Sequence, residues 1–78
     1  MADVNQQHRW KARIVVNPDI LAGKPVISGT HISVELILDC LASNWSMTEI
    51  IESYPSITPE DILAALAFAA DVIRWKPL

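Results

Sequence analysis

His8, His31 and Cys40 are the imidazole and thiol side chains of this 78-residue chain, the types used as general bases, zinc ligands and nucleophiles. Their positions do not reproduce the paired spacing of a zinc site. Cys40 has no base near it in sequence and falls on an apolar helix face, where a free cysteine packs as a small hydrophobe. His31 sits in a turn and reads as a hydrogen-bonding or phosphate-contacting residue, and His8 lies in a tail. Lys24 follows Gly23 as in a phosphate loop, but the glycine-rich run is missing. It reads as a turn lysine or as a contact to a nucleic-acid phosphate. Glu35 and Asp39 share a helix face with no apolar surroundings to make either a general acid, so they read as solvated or as contacts for a basic partner. No nucleophile–base pair emerges, and the expectation is a non-enzyme without metal or cofactor.

The remaining chemistry is charge and aromatic surface. The net charge is −3, with the bases confined to Arg9, Lys11, Arg13 and Lys24 near the start and Arg74 and Lys76 near the end. Between Pro25 and Ile73 there are seven acids and no lysine or arginine. Duplex binding draws on Lys and Arg neutralising phosphates. If DNA is a ligand, Arg9, Lys11, Arg13, Lys24 and His31 are therefore the expected contacts. The third helix, carrying Glu60, Asp61 and Asp71, reads as an acidic surface that a duplex repels. Trp10, Trp45 and Trp75 are candidate partner anchors, tryptophan being enriched at interface hot spots. Trp75, in the apolar and basic ending Trp75-Lys76-Pro77-Leu78, is the foremost of them.

These residues need elements to position them. Arg13–Val16 is β-prone, and Asn17-Pro18-Asp19 ends it with turn chemistry in which Asp19 is the expected cap. Val26-Ile27 is a second extended piece between Gly23-Lys24-Pro25 and Ser28-Gly29-Thr30. Ser33 opens a helix to about Ser43, with Val34, Ile37, Leu38 and Leu41 on one face. Asn44 suits a left-handed stop. Ser46 and Glu49 form a capping box for a short helix, Met47 to Ser53. Thr58, Pro59 and Asp61 are the start signals of a third helix running to Arg74. Its apolar residues form two adjacent stripes, one of Ile62, Leu66, Ala69 and Ile73, the other of Leu63, Ala67 and Ala70. A helix apolar nearly all round is buried or shared.

The fold expected is mainly α: a short N-terminal β-ribbon followed by a three-helix, helix-turn-helix-like (homeodomain-like) unit. Residues 1–12 are expected to be a flexible tail, 13–75 a single domain and 76–78 a C-terminal tail. A chain this short buries only about 60% of its unfolded surface. Yet 51% of its residues are hydrophobic, which favours a core shared with a second copy. A homodimer is expected, with Leu63, Ala67, Phe68, Ala70 and Trp75 at the partner or dimer interface. With no spanning apolar run and no apolar leader, the chain reads as soluble and cytoplasmic.

The elements Asn17-Pro18-Asp19-Ile20, Gly23-Lys24-Pro25-Val26-Ile27, Gly29-Thr30, Ile37-Leu38, Glu49-Ile50, Tyr54-Pro55, Glu60-Asp61-Ile62 and Ala64-Ala65-Leu66 together resemble domain-of-unknown-function family 433 over roughly residues 14–70. The resemblance implies a small homeodomain-like helix-turn-helix domain. It also implies an antitoxin of the VapB type, with a PIN-like ribonuclease toxin as partner and its own operator as a possible DNA target. Arginine is usual in that family where Ser28, His31 and Leu63 stand here, and glycine where Asn44 stands, so three of the four departures remove positive charge. The alternative is a protein-interaction or dimerisation module of the same fold that binds no DNA.

Overall fold

The computed structural model describes residues 10–75, without the side chain of Trp75. Two strands, β1 (Ile14–Val15) and β2 (Val26–Ile27), precede three helices, α1 (Val34–Ala42), α2 (Met47–Ser53) and α3 (Pro59–Trp75). The protein is mainly α with a short N-terminal β-ribbon, as its sequence predicts.

The ribbon is antiparallel and pairs within the chain, Ile14 with Ile27 and Val15 with Val26. Two residues per strand are too few to persist alone in water. Here Ile14, Val26 and Ile27 are buried, and an isolated bridge from Val26 to Ser33 ties β2 to the entrance of α1. The Ile27 N–H donates to the Ile32 carbonyl at 2.9 Å and the Val34 N–H to that of Pro25 at 3.0 Å. The linking segment turns on Asn17 rather than on Asp19: the Asn17 side-chain oxygen accepts from the Asp19 N–H at 2.9 Å. Leu21 and Ala22 then adopt left-handed backbone, with φ of 48° and 56°. For residues carrying a Cβ this conformation costs roughly 1–2 kcal/mol each.

Each helix starts where its local chemistry directs. The Ser33 Oγ accepts from the Leu36 N–H at 3.0 Å. Ser46 and Glu49 complete a capping box. Thr58 and Asp61 complete another, the Asp61 carboxylate accepting from the Thr58 N–H at 3.0 Å and the Thr58 hydroxyl from the Asp61 N–H at 3.2 Å. α1 stops at Asn44, whose φ is 68°, a conformation that asparagine adopts at less cost than most residues. Ile37, Ile50, Ile57 and Ile62, one or more from each helix and the loop before α3, meet at the centre with Cys40.

The expected tail boundary is corrected by Trp10. Residues 10–12 form a turn of 3-10 helix, and the Trp10 ring stands edge-on to Phe68 at a centroid distance of 4.9 Å. The folded body therefore begins by residue 10, not at 13. Residues 1–9 and 76–78, including Arg9, His8 and the C-terminal tail, lie outside the described residues.

Candidate protein-interaction face

Three of the four basic residues described, Arg13, Lys24 and Arg74, are committed to acids of the same chain. Arg13 meets Asp61 at 3.2 Å, Lys24 meets Glu35 at 3.0 Å, and Arg74 pairs with Asp71 one turn back on α3. The fourth, Lys11, holds its ammonium 5.9 Å from the centre of the Trp10 ring, within cation–π range. The candidate DNA contacts Lys11, Arg13 and Lys24 thus each face a different neighbour. His31 is exposed in the turn ahead of α1, and Arg9 lies outside the described residues.

Asp61 and Asp71 do not lie on an acidic surface, contrary to the expectation for the third helix. Both are buried, at 6% and 5% exposure. A carboxylate taken out of water needs donors to replace its hydration. Asp61 receives the Thr58 N–H and the Arg13 guanidinium. Asp71 receives the Trp10 indole N–H at 2.6 Å, together with Arg74. One signal of this was legible. An acid inside the run from Ala64 to Ile73, with an arginine one turn on, is placed for a buried and paired role. Its other partner, Trp10, is 61 positions away and leaves no local trace.

Asp61 joins local and long-range structure, so its removal acts on both. Asp61→Ala takes away one bond of the box, the one to the Thr58 N–H, and leaves Arg13 without its carboxylate. The expected cost is about 2 kcal/mol, about half from the lost box bond and the rest from the lost charge-assisted contact to Arg13, which is held down because the half-exposed Arg13 is re-solvated. Thr58→Ala, which removes one cap bond only, is expected to cost about 1 kcal/mol. Urea unfolding of the two variants checks the order. Equal losses would mean that the Arg13 contact adds nothing.

The acids left on the surface without a basic partner among the described residues are Asp19, Asp39, Glu49, Glu52 and Glu60. Alongside them runs an apolar face. Ile62, Ala64 and Ala65 turn into the core, and Phe68 packs against it and against Trp10. Leu63, Leu66 and Ile73 remain outside, at 57%, 45% and 67% exposure, with Ala70 also exposed between them. Of the candidate interface residues, Leu63 and Ala70 stand on this outer face and Ala67 lies at its edge, half-buried. Phe68 stands on the inner one, and the side chain of Trp75 is outside the described residues. Leu66 and Ile73, assigned by spacing to the same stripe as buried Ile62, belong to the outer face instead. A groove of about 460 Å³ runs between residues 10–13 and the first turns of α3, with Leu63 and Ala67 on its wall.

Cys40 is a core residue. Among the described residues, no group of three His, Cys, Asp or Glu side chains is placed to hold a metal ion. No described helix is long and apolar enough to cross a membrane.

The ribbon, the left-handed turn at Leu21–Gly23, α1, α2 and the greater part of α3 fall within residues 14–69, and those residues match the family described as protein of unknown function, DUF433. The chain belongs to the DUF433 family. It is similar to uncharacterized protein y4eO of Sinorhizobium fredii (strain NBRC 101917 / NGR234), with 34% identity over 64 residues. That alignment takes in 81% of this chain and 29% of the relative, so the chain corresponds to under a third of the relative's length. No solved structure matches the chain. The DUF433 match stops short of both partners in one contact: Trp10 lies before it and Asp71 after it, and the two close the ends of the matched segment against each other.

Proposed function

We propose that this DUF433 domain is a non-catalytic, cytoplasmic protein-interaction domain. In this reading it is the antitoxin of a VapB-like pair and covers a PIN-like ribonuclease as a homodimer. The observation that carries the protein-binding part is the outer face of α3, where large aliphatic side chains stand in water on a helix whose other face already fills the core. Contiguous apolar surface of this kind marks a protein contact. The family resemblance supplies the ribonuclease. Charge supports the choice: an enzyme that binds RNA presents a basic surface, and Asp39, Glu49 and Glu52 are exposed acids with no ion pair among the described residues. Complementary charge of this sort speeds association and competes with a polyanion.

Operator binding is the weaker half of the antitoxin reading. Arg13, Lys24 and Arg74 are already neutralised within the chain. Phosphate contacts would have to break those pairs or fall to Lys11 and to residues outside the described region. The second reading, a dimerisation module with no nucleic-acid role, shares the same face.

The test is to mix the purified chain with a purified PIN-like ribonuclease from the same source, and separately with a promoter duplex at low salt. The expected result is a defined protein complex in which RNA cleavage falls at least tenfold. Charge reversal of Asp39, Glu49 and Glu52 to Lys is expected to relieve that inhibition, and the duplex mass is expected to stay unchanged. Full RNA cleavage with the chain in excess would remove the antitoxin role. A salt-sensitive shift of the duplex would restore operator binding to the first rank.

A further inference from the structure

We propose that the outer face of α3 is occupied by the same face of a second copy, the two helices running antiparallel about a twofold axis near Ala67. This rests on reading that face as a protein-binding surface, and it names the partner as the chain itself.

The argument begins with spacing. The exposed residues Leu63, Leu66, Ala70 and Ile73 follow one another at intervals of three, four and three, the a and d positions of a heptad seam. The inward face of the same helix is set by Ile62, Ala65 and Phe68, so the seam is a second apolar surface and not a spill of the first. Two heptads are too short to hold an isolated coiled coil together. α3 is already held helical by its cap and by the core, so pairing does not have to supply the cost of ordering it. An antiparallel pair sets each a position against a partner's d position. Leu63 then faces the partner's Ile73, and Leu66 the partner's Ala70. Ala67 and Ala70 lie near the crossing, where small side chains let the backbones approach.

Charge selects the direction. Glu60 is exposed at one end of the seam, and Arg74, which stays half-exposed in its pair with Asp71, lies at the other, both flanking the apolar residues. In the antiparallel arrangement each end brings Glu60 of one copy towards the partner's Arg74. In a parallel pair both copies of Glu60 would lie at one end and both copies of Arg74 at the other, so no Glu60–Arg74 contact could form. Interfacial charges fix register and exclude wrong pairings more than they add affinity. The groove beside residues 10–13 flanks Leu63 on the same side as Glu60. It offers the partner's C-terminal turns a recess next to the ribbon. The arrangement is isologous and closes on itself, as twofold dimers do.

The experiment is a mass measurement followed by directed cross-linking. Sedimentation equilibrium over a concentration series is expected to approach twice the 8.7 kDa chain mass. Leu66→Glu, and separately Ile73→Glu, are expected to hold the chain at the single mass while keeping the wild-type circular dichroism, since both positions are exposed. For direction, single cysteines are placed in a Cys40→Ala background. A tagged Leu63→Cys chain mixed with an untagged Ile73→Cys chain is expected to give an oxidised heterodimer in high yield. Leu63→Cys alone is expected to give little, because the two copies of that position lie roughly 15 Å apart along an antiparallel pair. Efficient self-cross-linking of Leu63→Cys would mean a parallel pair and overturn the arrangement. A chain that stays at its single mass at every concentration would overturn self-association and leave the face to another protein. Ribonuclease inhibition, measured on the same samples, separates that outcome from failure of the antitoxin reading.

Discussion

Replacing Trp10 by alanine is expected to destabilise the protein by about 3 kcal/mol, a fall in Tm of roughly 15 °C for a domain of this size. The position is only ten residues from the start of the chain, yet its side chain reaches the far end of α3. Its ring meets Phe68 edge-on at 90°, an arrangement that contributes about 1 kcal/mol beyond burial. Its indole N–H donates to a carboxylate that is 95% removed from solvent, and a hydrogen bond to a charged group contributes about 1.5–3 kcal/mol. Trp10→Phe keeps a ring and loses the donor, so it is expected to cost about half as much. Against a total stability of roughly 4–12 kcal/mol for 78 residues, the alanine variant is partly unfolded at the low end of that range. Thermal unfolding at one fixed protein concentration reads both variants, because association would add to apparent stability. If Trp10→Ala melts with the wild type, residue 10 belongs to a tail after all and its contact with Asp71 is dispensable.

The second large effect is a contrast within one helix. Ile62→Ala is expected to cost about 4 kcal/mol, and Ile73→Ala under about 0.5 kcal/mol. Ile62 is wholly buried among Ile37, Ile50 and Ile57, whereas Ile73 is 67% exposed. Truncating the first leaves a cavity that the surrounding side chains cannot collapse to fill. Truncating the second removes atoms already in water, and its effect is expected on self-association instead. Urea midpoints measured well below the dimerisation range check the first statement, and sedimentation checks the second. Similar destabilisation by both substitutions would mean that α3 buries a different face from the one described.

The two isoleucines also mark where sequence reasoning stops. By spacing alone they fall in one stripe, together with Leu66. Only Ile62 is buried. α3 is apolar almost all round, so periodicity establishes a helix with two apolar faces and does not say which one the core takes. That choice is made by what α1, α2 and the ribbon present to it. The same limit applies to charge. Seven acids without a base between Pro25 and Ile73 read as an acidic surface. Two of the seven are internal, and each is paired with a base from outside that interval. Composition counts charges and cannot tell an exposed carboxylate from one enclosed by donors 48 or 61 positions away.

What the sequence determined by itself is most of what is governed by neighbours within about four residues, the turn on Asn17 and the left-handed Leu21 and Ala22 excepted. It placed the caps at Ser33, Ser46 and Thr58, the left-handed stop at Asn44, the strand pieces on either side of the turn segment, and hence the order of elements. Those are local competitions between side chains and backbone, and residue type and spacing decide them. The tertiary structure alone decided that Trp10 is part of the body, that Arg13 and Arg74 are paired with buried acids, and that Leu63, Leu66, Ala70 and Ile73 face outward. Each of these depends on which surfaces meet once the chain has closed, and closure is settled by the sum of burial over all the elements, a quantity that no single stretch contains.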